Sequence, residues 1–415
     1  MNWYTTLMSL TIFLSGLTDL VRRIGLGSIT ALGVLTILLA VASWALVFTR
    51  SKMPKTVLAS SGLLLFVLCA LVIWIWCLFT SSLPLIASIQ NIAVFIAFVG
   101  FIVLSATQSY RSFEPPEYVN SSFTRAIQIS VGLYGLSIVL GGPGSSVLMG
   151  ARSFALFAII GISWFLAVWR YRLPGGLWWS IGTISAIAFS YSRTALLIGI
   201  ILVPISQISL STFKGWLRMI LTIFLIVTVS YLALNYVEPI RSRFNEVGDN
   251  ATVNGIRVNT SGRNEAWPVA YTSALESPWI GKGPGSVSNA LKPLGPAFTH
   301  PHNDYLRIFH DYGLIGFVLW FFGYWGLIVK TWQNWQWADR NDRISAHIHL
   351  SAFLALIAIA IAMISDNVVV YIFSMSPLGI LVGASLGSAS RRKKELKTAR
   401  QTSSVFGFRN ITARS

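Results

Sequence analysis

Two histidines and an acidic residue alternate near the end of the longest polar segment, where the sequence reads His-Pro-His-Asn-Asp at 300–304. Histidine exchanges a proton near neutral pH, so His302 is a candidate general base or general acid. The alternative is that His302 is only a polar residue in front of a helix. Asn303 or Asp304 can cap that helix, however, and Asp304 could equally orient a histidine. These neighbours favour a chemical role for His302.

The same segment could form a metal site from His300, His302 and Asp304. Alternating ligands suit an extended strand, whereas this segment leads directly into a helix. His310 is expected inside that helix, and no further ligand cluster is evident in the same loop. The sequence also lacks an Asp-x-Asp motif, which would hold a metal-bound nucleotide sugar. We therefore predict no metal and no cofactor.

Two arginines could complete a site beside His302. Arg193 opens an apolar run, and Arg263 lies in the polar segment that leads to His302. Guanidinium groups stay charged and bind phosphate bidentately, so two of them beside one histidine suit a diphosphate. The alternatives are that Arg193 only reaches to the membrane surface and that Arg263 is a solvated loop charge.

Further polar residues could support this site. Asp366 lies in a short turn between the last two apolar runs, either as a plain turn residue or as a contact to a sugar or a site arginine. The glycine-rich run at 281–286 lacks the ending of a nucleotide-binding loop, so we expect a tight turn that lets backbone approach the site. The candidate substrate contacts are Asn303, Asp304, His300, Lys282, Arg241, Arg243 and Asp366.

The composition indicates which elements position these residues. Hydrophobic residues make up 54% of the chain and charged residues only 11%, whereas about a quarter of a soluble domain is charged. Apolar runs of roughly 20 residues, enough to cross the hydrocarbon core, recur along the chain. Each run must be helical because no water satisfies the backbone at that depth. The predicted fold class is an all-α integral membrane protein, not a β-barrel of short alternating strands.

The apolar runs predict twelve transmembrane helices and one large outer loop. The pair 176–190 and 194–211 is the weakest prediction, because polar residues interrupt it. The predicted spans are 4–20, 27–49, 56–79, 84–107, 121–140, 152–169, 176–190, 194–211, 215–236, 305–329, 346–365 and 368–387.

The basic residues orient these spans. The net charge is +17, but Lys and Arg form short clusters between apolar runs. This pattern is typical of topology signals and not of a surface that binds nucleic acid. With both termini in the cytoplasm, most of the 31 Lys and Arg residues lie on the cytoplasmic side, and the large loop at 237–301 lies outside.

The predicted organisation has three parts. N-terminal transmembrane helices occupy 1–175, and a catalytic membrane core occupies 176–387 and includes a periplasmic loop at 237–303. The basic tail at 388–415 is expected to be disordered and to lie against anionic lipid.

Three short motifs carry a family resemblance. Ser-Arg-x-x-Leu-Leu at 192–197 opens an apolar run, and Ser-Gly-Arg at 261–263 is followed by Trp267 and by Gly-x-Gly-x-Gly at 281–285. The most specific motif is His-Asn-x-x-Leu at 302–306 followed by Gly-x-x-Gly at 313–316. Across residues 176–330, the chain resembles the O-antigen ligase and Wzy-type polymerase superfamily.

The resemblance implies a GT-C-like, metal-independent glycosyltransferase of the bacterial inner membrane, with its active site facing the periplasm. A glycan on undecaprenyl diphosphate would be the donor, held by Arg193 and Arg263, while His302 would activate the acceptor hydroxyl. The leading interpretation is an O-antigen ligase whose acceptor is the lipid A-core oligosaccharide. An O-antigen or exopolysaccharide polymerase is the alternative. A transporter is disfavoured, because the spans carry almost no charge at their midpoints.

Overall fold

The computed structural model describes residues 3–26, 29–49, 60–81, 83–111, 117–207, 212–238, 251–253, 256–258, 262–296 and 298–412. Within these residues the helices up to the outer loop are α1 Trp3–Gly16, α2 Thr18–Arg22, α3 Ala31–Phe48, α4 Ser61–Thr80, α5 Leu85–Arg111, α6 Glu117–Gly141, α7 Ala151–Arg170, α8 Gly176–Phe189, α9 Arg193–Gln207 and α10 Phe213–Tyr236. The described helices that follow are α11 Arg263–Ala274, α12 Val287–Leu291, α13 Asp304–Asn341, α14 Ala346–Ser365 and α15 Ile372–Thr412.

Strands are minor in the described part of the chain. Two antiparallel hairpins pair β1 (Gly25–Leu26) with β2 (Ile29–Thr30) and β3 (Ala251–Val253) with β4 (Ile256–Val258). The second hairpin lies within the predicted outer loop, and the helices carry the architecture.

Eight helices of the described part are long and apolar enough to cross a membrane, namely α3 to α7, α13, α14 and the Ile372–Ala399 part of α15. α8 and α9 are shorter apolar helices. Each of the twelve predicted spans coincides with one helix. In chain order these helices are α1, α3 to α10, and α13 to α15. The prediction of a helical multi-pass membrane protein is confirmed, and the count of twelve crossings stays a prediction.

Helix α4 illustrates why the bundle suits lipid. Leu65, Leu68, Val72 and Trp76 follow one another on one face of the helix and are exposed. The opposite face buries apolar residues such as Phe66 against the other helices. A helix that is hydrophobic all round, with one side buried in protein, has a lipid-facing outer side.

The interruption within the weakest predicted pair is a turn between two separate helices. α8 ends at Phe189 and α9 begins at Arg193. Between them Tyr191 has a φ of 55°, in the left-handed region that side chains rarely adopt. The break therefore gives Arg193 the first position of its own helix.

The basic tail is helical in the described part, which corrects the prediction of disorder. α15 continues beyond residue 388 to Thr412. Ion pairs of Arg391 with Glu395 at 2.6 Å and of Arg392 with Asp342 at 3.3 Å support this extension. Opposite charges at i and i+4 stabilise a helix, and the second pair ties it to the end of α13.

The described part of the outer loop packs on the beginning of α13. Ala266 and Ala270 of α11 and Val287 and Leu291 of α12 form a small buried core of their own. Leu306 of α13 packs against this core. The loop is thus fixed to the helix that follows His302.

Candidate active site

The turn that joins α14 to α15, called here the 365–369 turn, collects residues from distant parts of the sequence. The Oγ of Ser365 lies 3.0 Å from the Oγ1 of Thr194, which follows Arg193 at the start of α9. The carbonyl of Ser365 accepts a hydrogen bond of 2.7 Å from the guanidinium of Arg263. The beginning of α9 and Arg263 therefore meet at one residue.

His302 reaches the same turn from the other side. Its Nδ1 lies 3.2 Å from the Nδ2 of Asn367 and 3.7 Å from the Oδ1 of Asp366. The Nη2 of Arg152, in the first turn of α7, lies 3.1 Å from the same Nδ1. The imidazole thus has a carboxylate, an amide and a guanidinium around one ring nitrogen.

The backbone around His302 is fixed on both sides. His302 has a φ of 51°, a conformation that persists only where the surroundings determine it. Before it, the indole of Trp267 donates a 2.7 Å hydrogen bond to the carbonyl of Pro301. After it, the side chain of Asn303 accepts from the backbone N–H of Leu306 at 3.0 Å, which confirms the predicted cap of α13.

Asp304 anchors α13 to the 365–369 turn. The side chain is fully buried, and its Oδ2 accepts hydrogen bonds from the backbone N–H groups of Val368 at 2.5 Å and Val369 at 3.0 Å. A carboxylate held in this way is out of reach of a bulky substrate. The geometry therefore favours an anchoring role over the substrate contact expected for Asp304.

Arg152 is the site residue that the sequence analysis missed. Its Nη2 donates a 2.5 Å hydrogen bond to the Oδ1 of Asp366. No sequence motif singles out Arg152. A signal was available, because a cation in the first turn of a helix opposes the helix dipole and calls for an acidic partner.

Asp366 is held ionised by its neighbours. Burial by itself would raise the pKa of Asp366, but the neighbouring His302 ring and the charge of Arg152 outweigh burial and hold that pKa below its ordinary value. The backbone N–H of Asn367 adds a 2.8 Å hydrogen bond to the same carboxylate oxygen. Asp366 was expected to be either a plain turn residue or a contact to a sugar or a site arginine. In the structure it contacts an arginine, Arg152.

His300 is placed differently from His302. Burial lowers the pKa of His300 to about 3, and the positive charges of Arg307 and Arg152 act in the same direction. A histidine of this kind stays neutral at physiological pH and is a poor general acid. His302 is therefore the histidine of this pair that suits proton transfer.

A second polar cluster, called here the Asp311 cluster, lies one to two turns further along α13. The carboxylate of Asp311 lies 2.9 Å from the Nδ1 of His310 and accepts backbone hydrogen bonds from Gly285 at 2.8 Å and Val287 at 3.2 Å. Gly281, Gly283 and Gly285 have φ values of 72°, 91° and 79°. The glycine-rich run is therefore the tight turn that was predicted, and Asp311 holds it against α13.

Lys282 belongs to this second cluster. Its Nζ lies 2.6 Å from Glu276 and 2.9 Å from the Oγ of Ser273, which in turn lies 3.1 Å from the Nε2 of His310. The hydrogen bond from Lys282 lowers the pKa of the exposed Glu276 carboxyl. A cavity of about 390 Å³ opens beside Lys282, with Trp76 of α4 in its wall. Lys282 thus faces a cavity of its own.

Arg307 links the two clusters. Its side chain is buried, and its Nε lies 3.6 Å from the Oδ2 of Asp311. The charge of Arg307 also contributes to the low pKa of His300, and Arg307 lies between Asp304 and Asp311 on the same side of α13. One polar face of α13 therefore runs from the 365–369 turn to the glycine-rich run.

Comparison with known proteins assigns this segment. Residues 175–321 match the O-antigen ligase family. The match covers about a third of the chain and includes Arg193, Arg263, Lys282 and His302. The resemblance to the O-antigen ligase and Wzy-type polymerase superfamily is thereby confirmed. No curated protein matches the chain.

The matched segment does not contain every residue of this candidate site. Arg152 lies before it, and the 365–369 turn with Asp366 lies after it. Both are brought to His302 by the packing of α7, α14 and α15. Arg241 and Arg243, two of the expected substrate contacts, lie outside the described residues.

The described residues contain no ligand set for the metal site considered above. No group of three or more His, Cys, Asp or Glu side chains comes together there in a way that could hold a metal ion. In the motif that suggested a metal, the Oδ2 of Asp304 is already occupied by two backbone N–H groups.

Proposed function

We propose that this protein is an O-antigen ligase, which moves a glycan from undecaprenyl diphosphate to the lipid A-core oligosaccharide. The observation that carries the proposal is the 365–369 turn, where the start of α9 with Arg193, the guanidinium of Arg263 and the imidazole of His302 meet. A guanidinium, an imidazole and the start of the helix that carries Arg193 at one place suit sugar transfer from a diphosphate.

The arginines serve the leaving group. When the bond between the sugar C1 and the diphosphate breaks, negative charge develops on the diphosphate oxygens. Arg193 and Arg263 stabilise that charge, because guanidinium groups bind phosphate bidentately and remain charged. The energy for transfer is already present in the diphosphate bond. Neither ATP nor a metal ion is needed in this mechanism.

His302 serves the acceptor. The Nε2 of His302 takes the proton of the acceptor hydroxyl while the acceptor oxygen bonds to the sugar C1. For this, Nδ1 must carry a hydrogen, so the Nη2 of Arg152, which lies 3.1 Å from Nδ1 and can only donate, must turn that N–H away from the ring while it stays paired with Asp366. Asp366 Oδ1 lies 3.7 Å away, and the imidazolium that forms is stabilised by this carboxylate.

Asn367 can hold the required form of the ring. Its Nδ2 lies 3.2 Å from the Nδ1 of His302, while its Oδ1 is buried and has no hydrogen-bond partner in the described part of the chain. Rotation of the carboxamide by 180° turns that oxygen toward the N–H of the ring. His302 then presents Nε2 to the acceptor as a base.

The position of the site fits the predicted topology. Arg152, Arg193 and His302 lie at the N-terminal ends of α7, α9 and α13, and Ser365 lies at the C-terminal end of α14. These ends all fall on the periplasmic side in the twelve-span topology. Impermeant thiol labelling of single cysteines at Asn289 and Lys397 tests this, and equal labelling of both in intact cells would exclude the topology.

A deletion strain distinguishes the ligase from a polymerase of the same superfamily. Loss of the ligase leaves long glycan chains on the lipid carrier and none on the lipid A-core. Complementation with the wild-type gene restores the transfer, whereas a His302→Ala gene does not. If the deletion strain instead carries a single repeat unit on the lipid A-core, transfer is intact and the protein is a polymerase.

A further inference from the structure

The contact between α5 and α15 is a seam of small residues. A Cβ atom added to Gly379, Gly383 or Gly387 of α15 would collide with the backbone of α5, at the carbonyl oxygens of Phe98, Ile102 and Ala106 respectively. Small residues spaced by four allow helix backbones to approach closely. The residue numbers rise together on both helices, so α5 and α15 run parallel.

A cavity begins where this seam ends. One turn beyond Ala106 and Gly387, large polar side chains replace the glycines, with Tyr110 and Arg111 on α5 and Arg391 on α15. A cavity of about 660 Å³ opens there between the two helices. Its wall includes Tyr110, Arg111, Arg391, Lys394, Glu395 and Thr398.

The basic run of α15 divides between two faces. Arg392 lies 3.3 Å from Asp342, and Lys393 donates to the Oδ1 of Asn334 at 3.0 Å, so this face holds α15 to α13. Arg391 and Lys394, three residues apart, lie on the face that lines the cavity. The first pair is structural, and the second is directed toward the cavity.

The charge of the cavity suits an anion. Arg111, Arg391 and Lys394 supply three positive charges against the one carboxylate of Glu395, which lies 2.6 Å from Arg391. No ion pair of the described residues involves Lys394. Among the lining residues that the structure describes, basic side chains therefore outnumber acidic ones by two.

The cavity also lies where the helices leave the apolar layer. α5 ends at Arg111. A helix rises about 1.5 Å per residue, so roughly 20 residues from Ile372 cross a hydrocarbon core of about 30 Å and reach Arg391. A phosphate group of a membrane lipid lies at this depth, whereas its acyl chains lie along the apolar helices beside it.

We propose that this cavity binds the headgroup of an anionic glycerophospholipid. The proposal is independent of the transferase function. Phosphate chemistry alone would also suit a soluble phosphate compound, but the position at the end of two spans favours a lipid, and basic pockets between transmembrane helices bind such headgroups. The tail of α15 is thereby fixed to the bundle through a bound lipid.

The test compares lipid binding to purified full-length variants in neutral detergent. Dioleoyl phosphatidylglycerol and dioleoyl phosphatidylcholine are titrated in turn, and bound lipid is measured by native mass spectrometry and by the shift in Tm. The variant Arg111→Gln/Lys394→Gln removes two charges from the cavity. The matched control, Arg340→Gln/Lys397→Gln, removes two charges from exposed positions that do not line it.

Phosphatidylglycerol should bind more tightly than phosphatidylcholine, and the cavity variant should lose about 30-fold in affinity, taking roughly fivefold for each basic side chain. The control variant should bind as the wild type does. Arg111→Lys/Lys394→Arg, which keeps both charges, should retain binding and shows that a loss is not caused by misfolding. Equal losses in the cavity and control variants, equal binding of both lipids, or displacement of the lipid by millimolar glycerol phosphate would overturn the proposal.

Discussion

The contact of Asp366 with His302 and Arg152 leads to a quantitative prediction. Replacing Asp366 by Asn removes the negative charge 3.7 Å from the Nδ1 of His302 and leaves the Arg152 guanidinium 3.1 Å from that nitrogen without its counter-charge. Both changes oppose the imidazolium that forms during transfer. Asp366→Asn should therefore slow the reaction without changing the side-chain volume.

The magnitude follows from the distance and the exposure. Unit charges about 4 Å apart interact by about 1 kcal/mol in water and by about 4 kcal/mol at an effective dielectric constant of roughly 20. The His302 side chain is 32% exposed and the Arg152 side chain 50% exposed, so solvent screening places the loss at about 1 to 2 kcal/mol. This corresponds to a decrease of about 5- to 30-fold in kcat/KM.

A double-mutant cycle separates this effect from a loss of structure. The assay supplies purified variants with the proposed undecaprenyl diphosphate donor and lipid A-core acceptor, and product is measured on gels. Arg152→Gln/Asp366→Asn should be more active than Asp366→Asn alone, because the uncompensated cation has been removed. Asp339→Asn, whose carboxylate instead accepts from Tyr171, is the matched control. Full activity of Asp366→Asn, or simply additive losses in the cycle, would refute the reasoning.

Three further predictions concern the rest of the site. Arg193→Lys and Arg263→Lys should each lower transfer and raise the KM for the donor, because lysine offers a point charge instead of a planar fork; unchanged kinetics would remove that arginine from the diphosphate site. Transfer should survive dialysis against EDTA, and a loss restored by one divalent metal would revive the metal interpretation. Because the pKa of His300 is about 3 in the folded protein and about 6.5 in an unfolded chain, the unfolded state binds the extra proton below pH 6.5. The folded protein should therefore lose stability as the pH falls toward 5, by up to about 2 kcal/mol. Over the same pH range the Tm of His300→Gln should fall less than the Tm of the wild type. Equal falls in the two proteins would contradict this.

The sequence predicts the helices well because each depends on a local property. An apolar run must be helical at membrane depth, and the helices found at 346–365 and 85–111 lie within a few residues of the predicted spans. The prediction that the basic tail is disordered was wrong for the opposite reason. Its helix depends on contacts such as the ion pair of Arg392 with Asp342, which join residues far apart in the chain.

The residues of the candidate site also differ in whether local sequence or tertiary packing identifies them. His302, Arg193 and Arg263 lie in recognisable local motifs. His302, Arg263 and Thr194, the residue after Arg193, contact the 365–369 turn. Arg152 has no motif, and its role depends on packing that carries the start of α7 to Asp366. Lys282 has the right chemistry for an anion, yet Glu276, six residues earlier, and Ser273 hold it in the Asp311 cluster. Residue type and spacing identify candidates, whereas tertiary packing decides which of them share a site.

The central claim is that His302 is the base of the transfer reaction, and the kinetics of two variants test it most directly. His302→Ala and His302→Gln should both lower kcat by about 10²- to 10⁴-fold, because neither side chain can take a proton. Both proteins should still insert, purify as single species and bind the lipid-linked donor. Glycan transfer by either variant at a rate near that of the wild type would contradict the account.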